Sequence, residues 1–408
     1  MNKAFFINGG AGRVLCSMPA LEKYAETNDD FVIVSESWGE LYLSNKVLRD
    51  KVFQNVHKGL FEQELKDRKI ISPEPYRVNQ YFNQKCNLIQ AFDIEINELD
   101  DVRESGKINL ELSKEDQIIG HNICSEVRQT VKQNKVVVFQ PFGQSCKKDG
   151  QFIYDSSGRS FEIANVIKII ESLRKNYGVI MMSEIQLPGW EGLGIACPQN
   201  MDLNKWGGVI NAADYFLGCD SVGQHFAHAM NKPATIVTGS TYPENISYPE
   251  NKKFTIIDNG KKGRRYSPIR MTLDIFTDRN NEDLMVLDDT TVKQIVKSVK
   301  DKIGVSISTN ETIGLKGEGK NSVYDKFGKS KGVDKLPTVP ALKDSMKPYT
   351  GFKKSKAELT VSTHNTGFKK GKETGAAGFM KPTVPSSNKD PKKKPIDQLL
   401  EIEAKTVK

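Results

Sequence analysis

The sequence predicts an α/β chain: two successive parallel-sheet units, then a tail of another character. Three observations carry that prediction. Apolar runs of strand length alternate with segments of helical apolar spacing over residues 3–48 and again over 135–304. Loops bearing glycine or serine follow several of those runs, as strand-to-helix connections do. Composition then breaks near residue 310.

In chain order, KAFFIN (3–8) reads as a short buried strand and Gly9-Gly10-Ala11-Gly12-Arg13 as a glycine loop. The helix that follows carries Val14, Leu15, Met18, Leu21 and Tyr24 on one face. FVIVSE (31–36) is a second strand, and SWGELYLSNKVL (37–48) suits a helix. Residues 60–100 are more polar and read as mainly helical. The second series opens with the strand KVVVFQPFG (135–143). A helix over 161–178 follows, closed by Gly178 as C-cap. Next come a strand (179–184), a helix (204–213), a strand (215–220), a helix (221–231) and a strand (234–240). An amphipathic helix at 290–304 ends the series. Strands alternating with helices imply parallel sheets covered on both faces. With a boundary near 125–134, this predicts two Rossmann-like domains, 1–130 and 131–307, and permits a cleft between them.

From 311 to 408 the chain holds 21 Lys, no Arg and 11 acidic residues, a charge of +10; the remainder carries −2. The basic balance therefore belongs to the tail, and a nucleic-acid reading drawn from the total charge is misplaced. TGFKKSK (350–356) and TGFKKGK (366–372) are near-copies, and PTVP occurs at 337–340 and 382–385. Few large apolar residues are present to offset ordering entropy, so 308–394 is expected to be disordered. Pro395 suits the first turn of a terminal helix over 395–404. The repeats suggest docking of a protein or an anionic surface, or local duplication alone. No run of 18 apolar residues predicts a transmembrane helix, and the opening segment is too short for a signal-peptide core. Cys16, Cys86, Cys124, Cys146, Cys197 and Cys219 form no C-x-x-C pair. Neither a disulfide framework nor a metal site is expected, and a cytoplasmic setting is the simple reading.

Four places can carry chemistry. Gly10 and Gly12 let the backbone approach a ligand at the start of a helix, whose free N–H groups attract an anion. The loop lacks the Lys-Ser/Thr of a P-loop and the third glycine of a dinucleotide fingerprint; Glu36 would suit a ribose in a nicotinamide reading, and a plain tight turn is the bland one. Asp220 ends an apolar strand and Ser221 opens a helix, where ligands of open α/β sheets bind. His225 lies four residues on from Ser221, on the same helical face. Phe142-Gly-Gln-Ser-Cys146 and Ser157-Gly-Arg159-Ser-Phe161 are glycine turns, the second with a flexible cation, suited to phosphate or to solvent alone. Glu184 closes a strand, where a carboxylate can accept two ribose hydroxyls or simply be solvated.

Taken in order, these residues resemble the ADP-heptose:lipopolysaccharide heptosyltransferase family. Gly12-Arg-Val-Leu-Cys-Ser-Met-Pro19-Ala-Leu21 is similar to its opening Gly-Asp-x-Leu…Pro-x-Leu. Asp220-Ser221-Val-Gly-Gln-His225-Phe-Ala227 resembles Asp-Thr-Gly-x-x-His-x-Ala, and Asn231-Lys-Pro-Ala…Gly239-Ser-Thr resembles the segment after it. Ser157-Gly-Arg159-Ser-Phe161 is similar to the Lys-x-Trp loop, with Arg for Lys and Phe for Trp. The resemblance covers residues 3–300. It implies a GT-B glycosyltransferase that binds a nucleotide-diphosphate sugar mainly on its second domain, without a metal or other cofactor, and passes the sugar to an acceptor the sequence does not name. It implies Ser145 and Arg159 on the diphosphate, Glu184 on the ribose and Met201 near the base. Asp220, Ser221, Gly223 and His225 would line the diphosphate and sugar.

One departure matters. Arg13 stands where the family has the acid that deprotonates the acceptor, and arginine cannot serve as a general base. Val222 also replaces a family glycine. The alternatives are therefore a catalytically inactive binding module working through its tail, or another nucleotide- or nucleic-acid-associated protein.

Overall fold

A computed structural model describes residues 2–104, 106–149, 152–155, 157–187, 190–262 and 283–306. The expectations for 308–394 and 395–404 lie outside the described residues.

The first half builds one parallel sheet. β1 (Lys3–Ile7) leads into α1 (Ala11–Ala25), then β2 (Phe31–Ser35) and β3 (Val52–Gln54). β4 (Lys69–Ile71), α2 (Asn79–Phe82) and α3 (Leu88–Asn97) follow. Strand order is β3-β2-β1-β4, and Phe5 sits opposite both Ile33 and Ile71. Alternation sorts the strands' side chains between two faces. Phe5, Ile7, Phe31 and Ile33 pack with Val14, Leu15 and Met18 of α1, while Ala4, Val32 and Val34 meet Leu60 and Leu65.

The second half builds another. α4 (Lys114–Val131) precedes β5 (Val136–Gln140), the hairpin β6 (Cys146–Asp149) and β7 (Phe152–Asp155), and α5 (Ile163–Leu173). Then come β8 (Gly178–Met181), α6 (Leu203–Ala212), β9 (Tyr215–Cys219), α7 (Val222–Ala229), β10 (Ala234–Thr238), α8 (Pro243–Ile246), β11 (Phe254–Asp258) and α9 (Asp289–Ile303). The five main strands run parallel in the order β11-β10-β9-β5-β8. Val137, Phe139, Leu217 and Val237 pack on α5 and α9 through Ile169, Ile170 and Ile295. Val136, Val138, Phe216 and Ile236 lie on the opposite side with Val209 and Phe226. That second cluster is continuous with the α1 side of the first sheet.

Some expectations change. Residues 37–48 are not one α-helix: Trp38 takes φ 62°, and a 3-10 turn runs only over Gly39–Ser44. Residues 60–100 hold helical segments, but a three-residue strand interrupts them. α1 begins at Ala11, so the expected five-residue loop shrinks to Gly9-Gly10. Gly178 caps no helix: α5 ends at Leu173, and Gly178 starts β8, where an added Cβ would lie 2.6 Å from Val127 Cγ1. Residues 125–134, given above as the boundary, span the end of α4 and its link to β5. α4 and α6 approach backbone to backbone: a Cβ on Gly120 would lie 2.2 Å from the Gly208 carbonyl, and one on Gly208 2.1 Å from Asp116 O. Among the described residues no helix is long and apolar enough to cross a membrane.

Candidate functional site

The carboxyl ends of β5, β9 and β10 converge with the hairpin β6–β7. In a parallel sheet such ends expose loops and helix starts together, so ligands gather there. The hairpin delivers Asp155 to this corner, and the chain turns back through Gly158 at φ 62°. One carboxylate then organises the loop. Asp155 Oδ1 accepts from the Ser145 hydroxyl (2.6 Å), the Ser157 hydroxyl (2.6 Å) and the Ser157 N–H (2.8 Å). Its Oδ2 accepts from the Ser160 hydroxyl (2.6 Å) and N–H (2.9 Å), and from the Arg159 N–H (3.3 Å). Burial opposes the charge, but the hydrogen bonds from Ser145, Ser157 and Ser160 outweigh it and hold the carboxyl down at about 2.

Arg159 rides on this loop. Its Nε donates to Ser157 Oγ (3.1 Å), and Nη1 lies 4.0 Å from Asp220 Oδ2. Burial opposes the guanidinium charge, while Asp220 and Asp155 push its pKa up. Among the described residues the terminal nitrogens find no hydrogen-bond partner, and the side chain keeps 27% exposure. Asp220 is 2% exposed; its Oδ1 accepts from Gln224 Nε2 (2.8 Å), and among the described residues its Oδ2 has no hydrogen-bond partner. Thr241 Oγ1, after β10, is also buried with no hydrogen-bond partner among them. Beside it the Ser240 hydroxyl donates to the Ser157 carbonyl (2.9 Å), tying that loop to the Asp155 loop. Buried polar atoms left unpaired are uncommon; Asp220 Oδ2 is one, 4.0 Å from the Arg159 guanidinium.

The start of α7 differs from expectation. Gln140, at the end of β5, accepts the Gly223 N–H (2.9 Å) and donates to Ser221 Oγ (3.1 Å). The amide thus takes a helix-terminal donor that the sequence left open to a diphosphate. Gly223 has no room for a side chain, since a Cβ would lie 2.4 Å from Gln140 Oε1.

His225 does not face this corner either. It is 3% exposed, shares a 2.7 Å hydrogen bond through Nδ1 with the Tyr248 hydroxyl, and lies 3.5 Å from Cys16 Sγ. Burial, then the neighbouring His228, pushes the imidazole down to about 3, so it is neutral. Helical spacing predicts His225 and Ser221 on one face; Ser221 stays at the corner with Gln140, while His225 packs against α1, where a Cβ on Gly12 would come 3.1 Å from the imidazole.

On the first sheet Arg13 is locked. It donates to Asn8 O (2.9 Å), Asn8 Oδ1 (2.8 Å), Pro73 O (3.1 Å) and Glu74 Oε1 (3.0 Å), and stacks near Tyr76 and Phe92. It is 4% exposed and serves the core between α1 and the 73–76 segment. Gly10 is the N-cap of α1 without a side-chain cap, and its missing Cβ would lie 2.9 Å from Gln144 Oε1. The two sheets' loops therefore meet there. Gly9 donates its N–H to Glu36 Oε2 (3.1 Å), which secures the turn. Glu184 is exposed beyond β8 and accepts the Asn200 N–H (3.4 Å), beside half-buried Met201. Ser145 sits at the corner with its hydroxyl directed to Asp155 and Ser157.

The structure thus brings Ser145, Arg159, Asp220, Ser221 and Gly223 together and turns Arg13 and His225 away. Sequence reasoning missed Asp155, Gln140 and Thr241. The signal for Asp155 was the run Asp155-Ser-Ser-Gly, an acid followed by hydroxyls and a glycine, which favours a side-chain-anchored turn.

No family model matches the sequence, and no curated protein matches it. Solved structures do. The fold is similar to ADP-heptose LPS heptosyltransferase II of E. coli, with TM-score 0.50, 10% identity, and 74% of this chain and 98% of that chain covered. It is similar to a family 9 glycosyl transferase from Veillonella parvula DSM 2008, with TM-score 0.53, 11% identity, and 73% and 96% covered. A third is the iron-containing dodecameric glycosyltransferase TibC from enterotoxigenic E. coli, with TM-score 0.50, 12% identity, and 74% and 76% covered. At such identities the likeness is one of fold: two parallel-sheet units in the GT-B arrangement.

Proposed function

We propose that the chain is a glycosyltransferase that takes a sugar from a nucleotide-diphosphate donor and passes it to an acceptor hydroxyl. One observation carries this reading. Arg159 is held as a cation by Asp220 and Asp155, yet among the described residues its terminal N–H groups are unbonded at the carboxyl end of a GT-B-type second sheet. A fork of N–H groups suits a diphosphate. Asp220 Oδ2, buried and without a hydrogen-bond partner among the described residues, lies 4.0 Å from the Arg159 guanidinium and steadies its charge. Glu184 accepts the Asn200 N–H beside β8, next to Met201, and the reading assigns the ribose and base to these two residues.

In the transfer the acceptor oxygen bonds to the anomeric carbon and its proton passes to solvent water. The carbon–oxygen bond to the diphosphate breaks, and the diphosphate leaves with the electron pair. Arg159 favours that step by meeting charge as it develops. Neither Arg13 nor His225 has a part: the first is a bound cation, the second a buried neutral ring.

The experiment is a panel of ADP-, GDP- and UDP-sugars. Release of the nucleoside diphosphate from one of them, lost in Arg159→Ala and in Asp220→Asn, supports the reading. The locked Arg13 favours a second reading, a donor-binding module without turnover. Binding of a donor with no release of diphosphate would select it.

A further inference from the structure

Asp155 lies outside every motif that the sequence singled out, and it is the most heavily bonded carboxylate of the corner. Resting on the donor reading above, we propose that Asp155 is the positioning residue for the diphosphate, aiming Arg159 through Ser157 while holding the neighbouring serines off the phosphates.

The chain of contacts is short. Arg159 Nε–H donates to Ser157 Oγ at 3.1 Å, and the Ser157 hydroxyl donates to Asp155 Oδ1 at 2.6 Å. Ser157 can bridge because a hydroxyl both accepts and donates. The Arg159 and Ser160 N–H groups end on Asp155 Oδ2, so the backbone that carries the guanidinium is tied to the same carboxylate. Arginine has several rotatable bonds, and an untethered one loses side-chain freedom on meeting a ligand. Here the tether lies in the protein before any ligand arrives. The serines have the complementary part: the hydroxyls of Ser145, Ser157 and Ser160 all point at Asp155. Their protons are committed, which leaves the Arg159 fork as the phosphate donor of the loop. Because Ser145 is held this way, its expected contact with the diphosphate gives way to a supporting one.

The test is a double-mutant cycle read by calorimetric binding of ADP, GDP and UDP to the full chain. Asp155→Asn keeps the side chain's size but replaces an acceptor oxygen with an NH2 group. It should weaken the nucleotide bound by wild type by about tenfold or more, as Arg159→Ala does. The double variant should bind no more weakly than Arg159→Ala alone, because the effect of Asp155 runs through Arg159. Ser157→Ala removes the bridge, and with it the Ser145 hydroxyl's contact to Ser157, while leaving Asp155 in place, and tests the same point if Asp155→Asn does not fold; its loss should also vanish in the Arg159→Ala background. Losses that add to that of Arg159→Ala would make Asp155 a plain structural residue and overturn the proposal. So would folded Ser157→Ala and Asp155→Asn proteins that bind like wild type. If wild type itself binds none of the three nucleotides, the donor reading falls and takes this inference with it, a result distinct from failure in the variants.

Discussion

Gln140 holds the N–H of Gly223 on its side-chain oxygen at 2.9 Å, so strand β5 caps helix α7. Its amide nitrogen meets Ser221 Oγ at 3.1 Å, which closes the same terminus from both sides.

Replacing that amide uncovers the helix start. Gln140→Ala is expected to lower unfolding stability by about 1–3 kcal/mol, from a buried N–H left without a partner. Denaturant unfolding with and without sulfate is the measurement. The variant should regain part of the loss in sulfate, through anion binding at the exposed terminus, beyond any gain by wild type.

Arg13 and Glu74 form a buried pair, 5% and 9% exposed at the side chain. Arg13→Met should destabilise by about 3–5 kcal/mol, because a carboxylate stays buried beside an uncharged chain. Arg13→Asp, which writes in the acid seen in the resembled family, should be worse, since two carboxylates then share one site. Chemical denaturation gives the ranking. A folded Arg13→Asp protein with raised turnover would contradict this account of the residue.

Acid should act through buried His225 and half-buried His228. In the folded chain His225 stays neutral down to about 3 and His228 to about 4, both from an ordinary 6.5. As pH falls the unfolded chain binds these protons first. The stability linked to them is whole above about pH 6.5 and drains away toward 4 and 3. The melting temperature of wild type minus that of His225→Asn should therefore shrink between about pH 6.5 and 5. A constant difference over that span would refute it.

Close helix packing supplies a further prediction. A methyl group on Gly120 meets the backbone of Gly208, which no rotamer change can move aside. Gly120→Ala is expected to lose about 3 kcal/mol or more, the upper end of overpacking effects. Thermal unfolding should show it, with the activity per folded molecule unchanged.

The long apolar runs were legible. VVVFQ, YFLGC and ATIVT became β5, β9 and β10, because strands buried on both faces need continuous apolar sequence. β3 and β4 were not, since three residues carry no period to read. The hairpin escaped notice because CKKD is polar and its pairing depends on the turn. At the site, Asp220 was legible as a strand end. The four-residue spacing joined His225 to Ser221, but Ser221 is an extended N-cap beside Gln140, whereas Cys16, Gly12 and Tyr248 cover His225. Asp155 and Gln140 act through neighbours brought in by the hairpin and by β9, and no local pattern reports that.

The first sheet is bounded on both sides by strands of only three residues, Val52–Gln54 and Lys69–Ile71. A neighbouring molecule seeking to extend the sheet finds few free backbone groups along either border, and Lys69 keeps a charge on one of them. The brevity that hid these strands from a reader of the sequence also guards the molecule against edge-to-edge polymerisation.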